Sequence, residues 1–455
     1  MGKYFGTDGV RGVVNKGLDA VLAYKVGIAA AMVLSEGRSD KPVFTIGKDT
    51  RVSGDMLESA LIAGLCAAGA NVIQLGVVPT PAVAFITVDS ASDAGIVISA
   101  SHNPYEHNGI KIFNGQGFKL PDETEARIER IIDGEEELRL KNGSEIGHVL
   151  NRGHEFVDRY VDHIASKTEA PIKNLKVMID CSNGAASRTV GRIFSRFPIQ
   201  LELIKDHPDG ININDGCGST HMDILSRMVV AGGYDVGIAF DGDADRCLAV
   251  DELGNQIDGD AIMAVCGRFM KEKGILRKDT IVATVMSNLG FHEYCRKNGM
   301  DVECTNVGDR NVLERMREKG YCLGGEQSGH MIFLDDATTG DGQLAAVKFL
   351  SVICASGKKV SELVADIPRY PQILINVPIE GGNAVKEALM NDEKVREMIK
   401  NEEEKLGADG RVLVRPSGTE ALIRVMVEAS DETIAGATAK KLSDLIRKQG
   451  ENTKN

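Results

Sequence analysis

The sequence predicts three α/β units followed by a smaller α+β cap. Short apolar runs alternate with stretches of helical periodicity along most of the chain, the signature of βα repeats. At 455 residues the chain exceeds what one hydrophobic core supports. The predicted strands also end in loops dense in Asp, Ser, His, Arg and Gly, and open α/β sheets place their chemistry at strand ends.

The elements follow in order. Ser53 is placed to cap a helix through Leu57, Leu61, Leu65 and Ala68, which Gly69 stops. Strands are expected at 72–75 and 95–98, the second running into Ser99-Ala100-Ser101-His102-Asn103-Pro104, and a short one at 109–112 carries Lys111. The acidic stretch 133–147 reads as a surface connection. A second unit starts with a strand at 175–180, an Asn183-Gly184 turn and a helix to about residue 197, and it closes with a buried strand at 234–240 that delivers Asp241. In the third, a strand at 280–285 precedes a helix carrying Phe291, Tyr294 and Cys295. A strand at 321–323 then enters Gly324-Gly325-Glu326-Gln327-Ser328-Gly329-His330. The tail reads as strands at 372–377, 411–415 and 422–427 and an amphipathic helix over 432–447. These units place the domains at 1–150, 151–252, 253–367 and 368–455.

Composition removes several function classes. The net charge of −13 and pI near 5.3 leave no broad basic field for nucleic acid or an anionic membrane. Anionic substrates must then be held by local Arg and Lys clusters. Nine scattered cysteines without a C-x-x-C pair indicate neither a disulfide framework nor a zinc knuckle. No run of eighteen apolar residues and no secretory signal is present, so a cytoplasmic protein with reduced thiols is expected. A Walker loop is missing, and Gly216-Cys217-Gly218 lacks the remainder of a dinucleotide fingerprint.

The strongest chemical signal is Asp241-Gly242-Asp243-Ala244-Asp245-Arg246. Three carboxylates at alternate positions repel one another unless a cation sits among them, and the small spacers let the backbone wrap that cation. Mg2+ is the expected occupant. A helix-loop-helix calcium site needs Gly at the sixth position, where Arg246 stands, and a helix in front, where a strand is predicted. A solvated acidic turn is the plainer alternative.

Three further loops carry chemistry. Ser101 follows a buried strand and suits a nucleophile or phosphoryl carrier, although a turn serine reads the same way. His102, Lys111 and Arg11 are the nearby titratable and cationic groups. Glu326, Ser328 and His330 alternate on a Gly-rich loop, suiting a carboxylate and hydroxyl that grip neighbouring sugar hydroxyls. Arg415-Pro416-Ser417-Gly418-Thr419-Glu420 combines a guanidinium, hydroxyls and an approachable amide into a phosphate nest, to which Arg424 adds a second fork.

In this order, and with Gly6-Thr7-Asp8-Gly9-Val10-Arg11-Gly12 at the start, the loops resemble the α-D-phosphohexomutase superfamily across essentially the whole chain. The early Tyr4-Phe5-Gly6 start and the Gln327 form of the sugar loop look most like its bacterial phosphoglucosamine mutases. The resemblance implies mixed sheets arranged around a central cleft. It also implies a phosphorylated Ser101, one Mg2+ per chain held by Asp241, Asp243, Asp245 and the phosphoserine oxygen, and sugar reading by Glu326 and Ser328. The distal phosphate falls to Arg415, Ser417, Gly418 and Thr419, with Arg246 or Lys111 adding electrostatic stabilisation. Acid and base duties stay open among His102, Lys111 and His330, and Lys111 needs a depressed pKa to act as a base at neutral pH.

Asn311 stands where many such enzymes carry Tyr, which bears on the sugar contacts around Gly308. The implied substrate is a phosphosugar, the intermediate a sugar bisphosphate and the assembly a homodimer, as relatives often are. Phosphoglucomutase or phosphomannomutase activity, a Mg2+-dependent sugar phosphatase and a non-catalytic phosphosugar sensor are the competing readings.

Overall fold

The computed structural model describes residues 2–6, 8–37, 39–380, 382–417 and 421–452. The chain divides into two compact units, one of residues 1–286 with 299–365 and the other of residues 287–298 with 366–455.

Three sheets build the first unit among the described residues. The seven-stranded sheet runs Phe5–Gly6, Gly9–Val13, His107–Asn114, Ala94–Ile98, Val43–Lys48, Asn71–Val77, Val149–Leu150. Val43–Lys48 lies parallel to both of its neighbours, while His107–Asn114 returns antiparallel to Ala94–Ile98. The sheet is therefore mixed, as are the next two. A five-stranded sheet is ordered Gln256–Ile257, Cys247–Asp251, Val236–Phe240, Lys176–Asp180, Gln200–Ile204, and a four-stranded one Asp301–Thr305, Thr280–Thr284, Leu323–Gly325, Met331–Phe333. In each sheet a parallel strand with every residue buried turns into an antiparallel partner, and the turn carries the polar loop.

The helix expected over 53–68 is Gly54–Ala67, and its Leu57, Leu61 and Leu65 share one core with Phe44, Ile46, Ile96 and Ile98. Each such leucine contributes roughly 2 kcal/mol by burial. Ser53 does not cap through its side chain; its hydroxyl instead accepts from Asn108 Nδ2 at 2.9 Å. This helix crosses Ala20–Leu34 closely, since a methyl added at Gly64 would fall 2.2 Å from the Tyr24 carbonyl oxygen.

Other expectations shift for local reasons. Beyond Asn183-Gly184 stand a 3-10 turn, Ala185–Arg188, and a short helix, Val190–Phe194, in place of one helix to residue 197. The amide of Ala185 is engaged by the Gly242 carbonyl at 2.8 Å, and Thr189 leaves helical geometry. The strand expected at 321–323 is Leu323–Gly325. Stretch 133–147 is mostly exposed, as expected, with one 3-10 turn at Gly143–Glu145.

The second unit is an antiparallel sheet ordered Gln372–Pro378, Leu422–Ala429, Gly410–Pro416, covered by the helix Glu432–Asn452 and its neighbours. The helix Leu289–Lys297, expected in the third α/β unit, groups here. Buried Glu428 accounts for this, accepting from the Leu289 amide at 3.1 Å, Asn288 Nδ2 at 3.2 Å and Arg411 Nε at 2.7 Å. All nine cysteines are free thiols, and no described helix is long and apolar enough to cross a membrane.

Candidate active site

Strand Ala94–Ile98 ends in a loop whose conformation is held from several sides. Ser101 is buried and left-handed at φ 52°, a geometry that costs a non-glycine residue on the order of 1 kcal/mol. The surroundings impose it. Fully buried Arg51 donates from Nη2 to the Ser101 carbonyl at 3.0 Å, and Asn214 Nδ2 donates to the same oxygen at 2.9 Å and to that of Asn103 at 3.0 Å. Arg51 is ion-paired with Asp49, whose Oδ2 also accepts from Ser99 Oγ at 2.6 Å. So clamped, Ser101 donates from Oγ to Asp241 Oδ2 at 2.6 Å and lies 3.2 Å from His102 Nδ1.

Asp241, Asp243 and Asp245 follow strand Val236–Phe240, all three buried, with one oxygen from each within 4.8 Å of the others. Gly242 is required here, because a methyl at that position would sit 2.6 Å from the Ser101 carbonyl oxygen. Asp243 Oδ2 accepts from Thr80 Oγ1 at 2.6 Å and Lys111 Nζ at 2.9 Å, yet Asp243 Oδ1 and Asp245 Oδ1 are buried without a hydrogen-bond partner. Burial, then the charges of Asp245 and Asp243, push the Asp241 carboxyl well above the usual range. Hard oxygens left unsatisfied beside a serine hydroxyl fit a divalent cation of the Mg2+ kind.

The acid and base candidates separate by environment. His102 is lowered to about 4 by burial and by the Arg246 and Arg11 cations, so it is neutral at pH 7. His330 is fully enclosed; burial alone would lower it, but the hydrogen bond and charge of Asp245, with Asp309 and Glu326, raise it to about 9. Lys111 is likewise raised, since Asp243, Asp8 and Asp245 outweigh its burial. The depression it would need to serve as a base is the reverse of what these neighbours produce. Lys111 here is an ammonium held against carboxylates.

A cleft of about 680 Å3 opens in front of these groups, lined by Arg11, Ser101, His102, Asp245, Arg246 and His330 together with Gly308, Asn311 and Glu326. Arg246 donates its amide to Asp241 Oδ1 at 3.2 Å, and Arg11 is paired with Asp8. Glu326 Oε1 accepts from the Gly308 amide at 3.0 Å. Ser328 is exposed and outside this lining, with its Oγ 3.5 Å from Glu326 Oε2.

In the second unit Arg415 and Arg424 face each other across adjacent strands, and burial followed by the Arg424 charge lowers the Arg415 pKa. Two guanidiniums so placed suit a dianion. Ser417 donates its amide to the Leu422 carbonyl at 2.9 Å while its own carbonyl accepts from buried Lys386 at 2.6 Å. Gly418 and Thr419 lie outside the described residues.

Sequence reasoning missed Asp8, Asp49, Arg51, Lys119, Asn214 and Asp309, all of which act through partners far along the chain. Of these, Asp8 lies within the Gly6–Gly12 motif and Asp309 within the segment Val307-Gly308-Asp309-Arg310-Asn311. Asp341 was missed too: it caps the helix Gly342–Ser356 through the Leu344 amide at 3.0 Å, accepts from Tyr160 Oη at 3.0 Å, and the adjoining Gly342 amide holds the Ala244 carbonyl of the acidic loop at 3.0 Å. Burial raises its carboxyl to about 6 against the pull of those donors. A folded-state pKa above the unfolded value makes the ionised form a burden above pH 6 that fades as pH falls toward 4. Asp341→Asn is therefore expected to stabilise the fold at pH 8, on the order of 2 kcal/mol, with the gain vanishing near pH 4. Denaturant melts at the two pH values check this, and an equal loss at both would contradict it.

Family models of the phosphoglucomutase/phosphomannomutase group match almost the entire chain: alpha/beta/alpha domain I at residues 2–139, domain II at 158–254, domain III at 258–370 and the C-terminal domain at 374–445. A phosphoglucosamine mutase of Acetivibrio thermocellus is 50% identical over 450 residues, covering 99% of this chain and 100% of the relative. One of Ruminiclostridium cellulolyticum is 50% identical over 447 residues, covering 98% and 99%. Among solved structures, a phosphoglucomutase/phosphomannomutase family protein of Burkholderia thailandensis superposes with a TM-score of 0.81 at 24% identity over 98% of this chain and 97% of that one. An N-acetylphosphoglucosamine mutase of Aspergillus fumigatus, in complex with GlcNAc-6P and magnesium, gives 0.72 at 18% identity over 98% and 96%. These two likenesses speak to the fold.

Proposed function

The chain belongs to the phosphoglucomutase/phosphomannomutase family, and from that premise we propose that it interconverts glucosamine 6-phosphate and glucosamine 1-phosphate. It is an intramolecular phosphotransferase, an isomerase that supplies the 1-phosphate for UDP-N-acetylglucosamine and cell-wall precursors in the cytoplasm, working as a homodimer. The observation that carries the reading is the 2.6 Å contact of Ser101 Oγ with Asp241, inside a cluster of three buried carboxylates.

In the proposed cycle Ser101 rests as phosphoserine. The P–Oγ bond breaks as a bond forms from phosphorus to O1 of glucosamine 6-phosphate, the O1 proton leaves to a base in the cleft, and the freed Ser101 Oγ takes up a proton. The resulting 1,6-bisphosphate turns round, and Ser101 Oγ gives up its proton to a base in the cleft and takes the phosphoryl group from O6, which regains a proton. Asp241, Asp243 and Asp245, with a phosphoserine oxygen, would hold one Mg2+, which when bound neutralises charge on the transferring group.

The protein's own groups divide the remaining work. His102, uncharged at neutral pH and 3.2 Å from Ser101 Oγ, is suited to accept a proton. Lys111 and His330, held protonated by the carboxylates around them, are suited to give one. Arg11 and Arg246 offset phosphoryl charge at the cleft wall. Glu326, with Ser328 and the Gly308 turn, reads sugar hydroxyls in both orientations. Arg415, Ser417, Gly418, Thr419 and Arg424 take the distal phosphate.

Parallel assays with glucosamine, glucose and mannose 6-phosphates, each with Mg2+ and a trace of the bisphosphate, test this by phosphorus NMR. Glucosamine 1-phosphate is expected to form with the highest kcat/KM. Preference for glucose or mannose phosphate would move the chain to the sister activities of the family, and inorganic phosphate without any 1-phosphate would make it a phosphatase.

A further inference from the structure

Six acidic and basic side chains alternate in a closed ring at the cleft. Asp245 Oδ2 lies 3.6 Å from His330 Nδ1, and His330 Nε2 lies 3.7 Å from Asp309 Oδ2. Lys119 Nζ then stands 2.6 Å from Asp309 Oδ2 and 2.6 Å from Asp8 Oδ1. Asp8 Oδ2 is 3.0 Å from Lys111 Nζ, which closes the ring at 3.9 Å from Asp245 Oδ2. Three members, Asp245, His330 and Lys111, already have parts in the proposed reaction. The other three have none assigned.

Lys119 occupies the far side of this ring from the aspartate cluster. It comes from the segment after strand His107–Asn114, Asp8 from the bend between Phe5–Gly6 and Gly9–Val13, and Asp309 opens the helix Asp309–Lys319. All three line the cleft, and the Lys119 side chain is 15% exposed. Two carboxylates at hydrogen-bond distance take two of its three N–H donors, so turning the ammonium wholly onto a phosphate would mean breaking both contacts. Its place is between two loops that flank the reacting groups. We propose that Lys119 is a positioning residue for phosphoryl transfer: shared by Asp8 and Asp309, its ammonium keeps Lys111 and His330 seated against the aspartate cluster.

The consequence of removing it follows from charge. Without Lys119, Asp8 draws Lys111 away from Asp243, and Asp309 draws His330 away from Asp245. Both displaced groups belong to the transfer step, whereas Glu326 and Gly308, which face the sugar, make their contact with each other and keep it. The loss should fall on kcat and spare KM. Groups that orient reacting residues at second hand typically lose 10- to 100-fold in activity when changed.

The inference rests on the mutase reading, and the test separates the two. Parent, Lys119→Met, Lys119→Arg and Asp309→Asn chains, each phosphorylated and supplied with Mg2+, are assayed for glucosamine phosphate interconversion well below their melting temperatures. Lys119→Met is expected to lower kcat about 30-fold with KM within about threefold, Lys119→Arg to restore most of it, and Asp309→Asn to lower kcat less than additively when combined with Lys119→Met. Parental kcat in folded Lys119→Met overturns the inference, as does a loss confined to KM. Should Lys119→Met not fold, Lys119→Arg and Asp309→Asn decide, and parental kcat in folded Asp309→Asn overturns it. A parent inactive on every phosphohexose overturns the mutase reading and this inference with it.

Discussion

Ser101→Ala is expected to lower kcat at least ~10^4-fold while leaving the fold and the substrate affinity in place. The hydroxyl makes the hydrogen bond to Asp241, and the backbone around it is fixed independently by Arg51, Asn214 and Ser99. Ser and Ala bear the same strain at φ 52°, so the exchange carries no backbone penalty of its own. Ser101→Gly supplies the control. It relieves the left-handed strain, so it should melt no lower than Ser101→Ala, yet it should be equally inactive. Recovery of turnover in either variant would mean that the phosphoryl group travels by another route.

The second large effect concerns the carboxylate cluster. Asp241→Asn keeps the shape of the side chain and an acceptor for Ser101 but removes one of three mutually repelling charges. In chelator-treated protein this removes repulsion, so the variant should melt no lower than the equally treated parent. Adding Mg2+ at a hundredfold over its Kd should stabilise the parent by about 2.7 kcal/mol and leave the variant nearly unmoved. Its kcat should fall about 10^3-fold, because the transferring charge loses its main offset. Differential scanning fluorimetry with and without Mg2+ reads the first effect, and an equal Mg2+ shift in both proteins would remove Asp241 from the metal site.

How much of this was legible beforehand depended on the range of the interactions. The loops announced themselves locally: alternating aspartates after a buried strand, a serine before Asn-Pro, and a Gly-rich Glu-Gln-Ser turn each carry their chemistry within six residues. Strand positions at 234–240 and 95–98 were readable for the same reason, being short apolar runs cut off by polar loops. Helix Gly342–Ser356 was not, because its first twelve residues are all buried and no polar face marks a helical period. The clamp residues Arg51 and Asn214 were also invisible. Their partner Ser101 lies 50 and 113 positions away, and an Arg or Asn in a polar loop looks like any solvated residue. Lys111 shows the limit most sharply: its strand was readable, but the direction of its pKa depends on Asp8, Asp243 and Asp245, which only the fold brings to it.

Mass spectrometry of the intact chain and its Ser101 peptide, before and after incubation with Mg2+ and unphosphorylated glucosamine, tests the phosphoryl carrier most directly when paired with the same chain given glucosamine 1,6-bisphosphate. The account predicts one phosphate on Ser101 in the active protein, unphosphorylated serine in chain that is inactive until primed, and restoration of both phosphate and turnover by the bisphosphate. Full turnover by a chain whose Ser101 never carries phosphate would contradict it.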